Sequence, residues 1–265
     1  MRSVSRRTRD AAPDTITGMD DIVDNRVALV TGGSRGIGAA VALRLARDGA
    51  DVVLTYQHAA EAASAVVAEI EAGGRRALAV RADSGDRDAA TAAVERVVDR
   101  FGRIDVLVNN AGALRVGPIG ELGPAEFEEV VAVNVRAPFL ASRAAAAHMT
   151  AGGRIVNIGS NVAERVTFPG FSLYALSKSA LVGLTRGLAR ELGPRGITVN
   201  QVNPGPVDTD MNPADGPLAD AINGFTALGR FGTPDEIAAT VSHLAGDGGA
   251  YVTGAVIAVD GGFNG

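Results

Sequence analysis

A tyrosine and a lysine four residues apart are the side chains of this sequence best suited to proton transfer. Tyr174 and Lys178 occur near the start of a stretch, 172–192, that predicts a long helix, so both project from one helix face. A phenol ordinarily has a pKa of about 10, and a nearby ammonium stabilises the phenolate. We expect the Tyr174 pKa to move toward about 7, which requires roughly 4 kcal/mol. The same spacing also occurs in ordinary amphipathic helices, with the tyrosine half-buried and the lysine solvated.

A serine hydroxyl is predicted close to this pair. Ser160 follows the apolar run 154–158, which predicts a strand, at the end where a ligand would bind. Its hydroxyl is suited to hydrogen-bond a substrate oxygen. Together with the glycine-rich turn described next, this serine favours catalysis over the amphipathic-helix interpretation of the tyrosine and lysine.

Spaced glycines follow the first predicted strand, 27–30. The segment from Thr31 to Gly38 reads Thr-Gly-Gly-Ser-Arg-Gly-Ile-Gly and runs into a predicted helix, 36–48. A tight turn without Cβ atoms lets backbone N–H groups approach a pyrophosphate, and the helix N-terminus adds partial positive charge. The position between strand and helix favours a dinucleotide site over a plain glycine-rich turn.

The end of the second predicted strand bears on the choice of dinucleotide. Proteins that prefer NAD usually place a carboxylate there to hold the ribose 2′-OH, but the segment Leu54 to His58 contains no acid. Arg35 in the glycine turn is suited to contact a 2′-phosphate, and Ser34 could assist it. The alternative for Arg35 is a solvated surface arginine. The sequence therefore favours NADP(H) over NAD(H).

Short apolar runs alternate with helical stretches from Arg26 onward. Successive β-α-β units require parallel strands with helices on both faces. We therefore predict an α/β fold, a single-domain doubly wound parallel sheet of the Rossmann type with seven strands, over residues 25–265. The predicted strands are 27–30, 52–54, 77–80, 106–108, 154–158, 197–202 and 255–259. The predicted helices are 36–48, 61–72, 86–100, 124–133, 134–149, 172–192 and 234–245, with a partly helical loop at 211–227.

Composition excludes several classes of function. Hydrophobic residues make up 46% of the chain, enough for a large core, and no apolar run reaches the roughly 18 residues of a membrane span. The absence of cysteine excludes disulfides, cysteine zinc sites and cysteine nucleophiles, and is consistent with a cytoplasmic protein. We expect no metal site. A net charge of −5 and a pI of about 5.3 argue against nucleic-acid binding.

The first residues differ from the rest. Residues 1–24 are polar, rich in Arg and Asp, and unpatterned, which predicts a disordered tail or an upstream start with the true start at Met19. Arg6 and Arg7 suggest a twin-arginine export signal, but no apolar segment follows them, so that interpretation is rejected.

These motifs together resemble those of the short-chain dehydrogenase/reductase family, over about residues 26–265. The glycine turn is similar to the family's cofactor motif, Asn109-Asn-Ala-Gly112 to its strand-four motif, and Tyr174-x-x-x-Lys178 to its active-site motif. The loop from Asn203 to Thr209 and the closing stretch 258–262 are also typical. Within the family the likeness is greatest to 3-oxoacyl-carrier-protein reductases and related ketone reductases.

The resemblance implies roles for individual residues. Asn134, Ser160, Tyr174 and Lys178 would be the catalytic residues. Asn134 would hold a water that links Lys178 to solvent, and Ser160 would orient the carbonyl. Tyr174 would be the acid–base, and Lys178 would also bind the nicotinamide ribose. The implied cofactor contacts, beyond Tyr174 and Lys178, are Gly32, Ser34, Arg35, Gly36, Ile37, Gly38, Tyr56, Asp83, Ser84, Asn110, Ala111, Gly112, Pro204, Gly205, Val207 and Thr209.

The resemblance further implies strand order 3-2-1-4-5-6-7 and a homotetramer or homodimer. One feature departs from the family pattern, because the interval from Ser160 to Tyr174 is one residue longer than in the commonest members. Either the intervening loop bulges or the orienting hydroxyl is displaced, with Ser172 as the alternative.

The expected activity is hydride transfer between NADP(H) and a small ketone, aldehyde or secondary alcohol. The segment from Met211 to Phe225 predicts a mobile lid. Apolar side chains could line the substrate pocket: Leu114, Val116, Phe168, Phe171, Met211 and Leu218. A carrier-protein substrate would need a basic docking patch, for which Arg136 and Arg143 are the candidates, and a general carbonyl reductase is favoured over it.

Two other classes of function remain open from the sequence. Some relatives of this kind are described as cyclic-dinucleotide-binding proteins, and the glycine turn alone would serve a regulatory binder. The Arg-rich tail could serve a nucleic-acid or scaffold protein.

Overall fold

The computed structural model describes Val23 and residues 25–265. The predicted tail, 1–24, lies outside the described residues apart from Val23. That residue is buried, and its N–H donates to the Asp48 carbonyl at 2.9 Å, so the packed structure includes it.

Seven parallel strands form one sheet in the order β3-β2-β1-β4-β5-β6-β7, which confirms the predicted topology. The predicted strands lie within two residues of those observed, and most connections are helical. The strands are β1 (Val27–Val30), β2 (Asp51–Tyr56), β3 (Ala77–Arg81), β4 (Val106–Asn109), β5 (Arg154–Ile158), β6 (Thr198–Pro204) and β7 (Val256–Val259).

Helices cover both faces of the sheet. They are α1 (Gly36–Arg47), α2 (Ala60–Ala72), α3 (Ala89–Phe101), α4 (Pro124–Val131), α5 (Ala137–His148), α6 (Ser172–Leu192), α7 (Ala219–Asn223) and α8 (Pro234–Ala245). Successive residues of β1 alternate between two apolar cores. Ala28 and Val30 pack in the core that contains α1, α2 and α8, and Val27 and Leu29 in the core with α3, α5 and α6. Across the described part of the chain, no helix has both the length and the apolar character needed to cross a membrane.

The sequence predicts that one helix ends at residue 133 and another begins at 134. The structure instead has one continuous helical run with a local distortion at this point. A single π-helical turn, Ala132–Arg136, joins α4 to α5. Pro138 has no N–H, so the carbonyl four residues earlier, that of Asn134, lacks its α-helical donor. Such bulges occur frequently at functional sites.

Strand order reverses between β1 and β4, and the crevice outside the carboxyl ends of these strands is where doubly wound sheets bind ligands. The glycine-turn residues, Ser160, Tyr174 and Lys178 follow strands at this edge or lie in the first turns of the adjoining helices, and Asn134 lies in the π turn between α4 and α5.

Candidate active site

In the turn after β1, the backbone at Gly38 approaches the backbone at Gly32 too closely for a side chain to fit between them. Gly32 and Gly36 have φ values of +65° and +53°, a region that favours glycine. A Cβ on Gly38 would lie 2.2 Å from the Gly32 carbonyl oxygen, so no side chain fits there. The turn therefore forms a cradle without side chains at the N-terminus of α1, and that terminus has no side-chain cap.

Thr31 and Asn110 hold the cradle in place. The Asn110 side-chain amide donates to the carbonyls of Thr31 (2.9 Å) and Gly32 (3.0 Å). In return the Thr31 hydroxyl accepts from the backbone N–H groups of Asn110 and Ala111 at 2.9 and 3.0 Å. The predicted cofactor residue Asn110 thus fastens the glycine turn from within the protein.

Arg35 is the N-cap residue of α1 and is exposed. Its Nη1 lies 3.9 Å from a carboxylate oxygen of Asp210, in the loop after β6. At the neighbouring edge of the sheet Arg81, which ends β3, donates from Nε to the Gln57 carbonyl at 3.3 Å. Sequence reasoning missed Arg81, although the pairing of β2 with β3 sets it opposite Tyr56.

A small cleft opens beside β1 and β4. It contains Ser84 and Ala111 from the predicted cofactor set, whereas Asp83 is exposed and its carboxylate accepts from the Gly85 N–H at 2.8 Å. The cleft is lined by Thr31, Thr55, Ala82, Ser84, Ala89, Ala90, Ala93, Asn109, Ala111, Val133, Ala137, Pro138 and Ala141.

The loop after β6 approaches the glycine turn from the other side. A Cβ on Gly36 would lie 3.3 Å from Cγ2 of Thr209, and a Cβ on Gly205 would lie 2.6 Å from the Asp260 Cα. Val207 forms a bridge with Gly232, which fixes the start of the loop. The predicted loop residues from Pro204 to Thr209 are therefore brought to the same crevice.

The Tyr174 phenol lies close enough to the Ser160 side chain for the serine hydroxyl to lower its pKa, so the longer interval between them is absorbed in the intervening loop. Ser160 is buried and Ser172, the alternative, is exposed. Burial raises the pKa of Tyr174 to about 12, and the Ser160 hydroxyl only partly offsets it. The expected lowering toward 7 is therefore wrong for the chain without cofactor, because loss of hydration penalises the phenolate.

Lys178 is the only lysine in the sequence, and it is buried. Its Nζ donates to the Ile158 carbonyl at 3.0 Å and lies 5.7 Å from the centroid of the Tyr174 ring. Burial lowers the pKa of Lys178 to about 8. The solvated lysine of an ordinary amphipathic helix is therefore excluded, and the amine points to the end of β5.

Asn134 lies in the π turn and is buried. Its Oδ1 accepts from the Ala113 N–H at 2.8 Å, and its Nδ2 donates to the Ala113 carbonyl at 2.9 Å and to the Ser177 hydroxyl at 3.0 Å. A Cβ on Gly112 would lie 3.5 Å from Asn134 Oδ1 and 3.6 Å from Lys178 Nζ. The four predicted catalytic residues are thus gathered around the end of β5, with the Asn134 amide committed to protein partners.

A series of buried, hydrogen-bonded polar side chains lies beneath Ser160 and supports it. Most of these residues were not identified from the sequence. Asn203 Oδ1 accepts from the Ser160 N–H at 3.2 Å and from Gln201 Nε2 at 2.7 Å. Gln201 Oε1 accepts from Thr185, which in turn accepts from Asn157. The sequence feature that could have indicated these side chains is the run Asn-Gln-Val-Asn at 200–203, which places polar residues inside a strand expected to be apolar.

A seven-stranded parallel sheet with a glycine cradle at its switch point, and a half-buried tyrosine next to a buried lysine beside it, defines a nucleotide-dependent dehydrogenase class. The family model described as enoyl-(acyl carrier protein) reductase matches residues 32–264. The chain belongs to the short-chain dehydrogenase/reductase family.

The relatives of this chain differ in the activity that their names state. The chain is 46% identical over 238 residues to the cyclic-di-GMP-binding biofilm dispersal mediator protein of Escherichia coli K12, covering 90% of this chain and 97% of that protein. It is 43% identical over 240 residues to a 3-oxoacyl-[acyl-carrier-protein] reductase of Synechocystis, covering 89% and 96%. A short-chain dehydrogenase of Burkholderia cenocepacia J2315, solved in complex with NADP, superposes with a TM-score of 0.91 at 55% identity, covering 92% and 100%.

Proposed function

We propose that this protein is an NADP(H)-dependent carbonyl reductase, which transfers hydride to a ketone or aldehyde and, in reverse, oxidises a secondary alcohol. One observation carries the proposal: the Ser160 hydroxyl, the Tyr174 phenol and the Lys178 amine are joined around the carboxyl end of β5. The NADP-bound relative and the family membership support it.

The residues present fit a dinucleotide. The glycine cradle excludes side chains where a pyrophosphate would contact backbone N–H groups, and the uncapped N-terminus of α1 favours negative charge. Arg35 is the residue that would hold the 2′-phosphate, and β2 ends without an acid that would repel it. When bound, the nicotinamide supplies the hydride.

Tyr174 is the proton donor in the reduction. With a pKa raised to about 12, its phenol is protonated at neutral pH, which is the state that a donor requires. The Ser160 hydroxyl donates to the same carbonyl oxygen as negative charge develops there. The Ser160 N–H donates to Asn203 Oδ1 and its Oγ donates to Asn161 Oδ1, both at 3.2 Å, so the hydroxyl is held before substrate arrives and turns its hydrogen from Asn161 to the substrate oxygen.

Lys178 and Asn134 return a proton to Tyr174. With a pKa of about 8, the Lys178 amine exchanges protons readily near neutral pH. The Asn134 side chain cannot hold the relay water, because its amide is bonded to Ala113 and Ser177. The backbone carbonyl of Asn134 takes that role, since Pro138 supplies no N–H to it.

A regulatory binder of cyclic dinucleotides is the competing function, and one relative carries that description. A binder has no need of a tyrosine next to a buried lysine and beside a serine hydroxyl, so the site supports a reductase instead.

Assembly as a homo-oligomer stays a prediction from the family resemblance, and a cytoplasmic location stays a prediction from the absence of cysteine. Exposed phenylalanines on α4 and α5, Phe127 and Phe139, support self-association, because aromatic side chains are enriched at interfaces.

The test is a screen of ketones, aldehydes and secondary alcohols with both nicotinamide coenzymes, followed at the reduced-nicotinamide absorbance band. We expect NADPH consumption with ketones and a much weaker rate with NADH. Tight NADPH binding without consumption by any carbonyl compound would favour the regulatory binder.

A further inference from the structure

We propose that the substrate is an uncharged ketone carrying an aromatic ring, and that thioesters on coenzyme A or an acyl-carrier protein are rejected. This inference rests on the proposed reductase function and names its substrate class. Its two observations are the aromatic side chains and the charge of the loops around Tyr174. These loops, 113–123 after β4, 159–171 after β5 and 205–229 after β6, are called the mouth.

Aromatic rings lead away from the proton donor across the mouth. The Phe171 ring lies edge-on to Tyr174 with centroids 6.4 Å apart. From the same loop Phe168 meets Phe225 edge-on at 5.2 Å, and Phe225 lies 5.7 Å from Phe263 at the C-terminus. Aromatic rings make up only 4% of the chain, so this concentration is not a compositional accident.

Several apolar side chains of the mouth are open to solvent. Phe225 is 40% exposed and Val116 is 47% exposed, while Met211 and Leu218 in the loop after β6 are 59% and 66% exposed. Val116 lies against the Phe171 loop, because a Cβ on Gly170 would lie 3.3 Å from Val116 Cγ1. Exposed apolar surface that adjoins a reactive group is suited to an apolar ligand. Phe225 offers an open ring against which an aryl group could stack.

The charge of the mouth opposes an anionic substrate. Its loops carry two arginines against six carboxylates, a net charge of −4. The loop after β6 has no Lys, Arg or His and contains four exposed aspartates, Asp208, Asp210, Asp215 and Asp220. Phosphopantetheine, coenzyme A and acidic carrier proteins are all anionic, so this field repels them.

Apart from Arg165, which is exposed in the mouth and donates to the Phe263 carbonyl at 3.5 Å, the nearby arginines are held by other groups or lie outside the mouth. Arg115 forms a two-point ion pair with Glu129, with both N···O distances at 2.8 Å. Beyond the loop, Arg230 forms a similar pair with Glu236. Arg136, a candidate from the sequence, instead donates to the Gly85 carbonyl at 2.5 Å, so its guanidinium is turned into the protein. Arg143 is exposed on α5 but lies outside the mouth.

The direct test compares kcat/KM for three probes with NADPH: 1-tetralone, acetoacetyl-coenzyme A, and the neutral N-acetylcysteamine thioester of 3-oxobutyrate. We expect 1-tetralone to exceed each thioester by at least about tenfold. Equal or better turnover of either thioester would overturn the inference and leave the reductase function standing. Failure of all three probes and of the wider carbonyl screen would overturn the reductase function itself.

Two variants separate the aromatic and electrostatic parts. Phe225→Ala should lower kcat/KM for 1-tetralone by about fivefold relative to the neutral thioester, with Tyr251→Ala, an exposed aromatic before β7, as the matched control. Equal losses for both substrates would mean that Phe225 only holds the loop. Asp215→Asn with Asp220→Asn should raise acetoacetyl-coenzyme A turnover relative to 1-tetralone by about two- to fivefold at low salt. An unchanged ratio would contradict electrostatic rejection.

Discussion

The Asn134 side chain forms both backbone hydrogen bonds of Ala113. Its Oδ1 accepts from the Ala113 N–H and its Nδ2 donates to the Ala113 carbonyl, at 2.8 and 2.9 Å. The π turn is thereby fastened to the loop after β4, and the remaining Nδ2 hydrogen reaches the Ser177 hydroxyl on α6. One amide thus joins three elements of the site.

Asn134→Ala should therefore destabilise the fold as well as impair turnover. Two partly buried backbone groups of Ala113 lose their partner, and an unsatisfied buried group costs about 1–3 kcal/mol. We expect the free energy of unfolding to fall by about 1–3 kcal/mol in urea denaturation, because water can partly replace the lost hydrogen bonds. Asn134→Asp keeps Oδ1 but loses the Nδ2 donor, so it should retain the N–H bond and lose the other two. Wild-type stability in Asn134→Ala would contradict this account.

Tyr174→Phe should abolish most turnover while leaving cofactor binding intact. Removal of a positioned proton donor typically costs about 10²–10⁴-fold in rate, and phenylalanine preserves the ring packing against Phe171. The measurements are kcat with the best ketone and the NADPH dissociation constant from nicotinamide fluorescence. Ser172→Ala is the control, since its side chain is exposed at the helix start. A fully active Tyr174→Phe protein would remove Tyr174 as the donor.

The sequence predicts most of the fold for a physical reason. Buried strands such as β1 and β5 are short apolar runs bounded by turns, and each helix shows an apolar face, so order and handedness follow from the β-α-β rule. The glycine turn and the tyrosine–lysine pair are equally visible, because each depends on residues close together along the chain.

Other features depend on the folded surroundings and so escaped prediction. The pKa of Tyr174 is raised rather than lowered, because desolvation acts through neighbours that are distant in sequence. The commitment of the Asn134 amide to Ala113 and the inward turn of Arg136 are long-range contacts of the same kind. Asn203 supports Ser160 across two strands, and only the packed sheet brings them together.

Arg35→Ala should weaken NADPH binding by about 10- to 100-fold and NADH binding far less, because only NADPH has the 2′-phosphate that a charge-assisted hydrogen bond would hold. Asp210→Asn removes the carboxylate 3.9 Å from Arg35 and should tighten NADPH binding slightly, by up to about fivefold, as expected for an exposed ion pair. The measurement is the dissociation constant of NADPH and of NADH for the wild-type protein and for each variant. Equal losses for NADPH and NADH in Arg35→Ala would mean that Arg35 does not read the phosphate.

The buried amine of Lys178 makes the stability of the protein depend on pH. Its pKa falls from 10.5 to about 8 on folding, so the folded state binds this proton less tightly than the unfolded state. The resulting penalty, about 3 kcal/mol, is fully present below pH 8 and fades as pH rises from about 8 toward 10.5.

Lys178→Met removes that penalty together with the hydrogen bond to the Ile158 carbonyl. The stability of the variant relative to wild type should therefore fall by about 2 kcal/mol between pH 7 and pH 10, measured by urea denaturation at both values. Taking the difference between the two proteins cancels the titration of groups that they share. Because Lys178 is the only lysine, protein labelled with 13C-lysine should give a single lysine Cε resonance, and its titration reports the pKa directly. A midpoint near 10.5, with no pH dependence of the stability difference, would show that the amine is hydrated and that burial does not tune the relay.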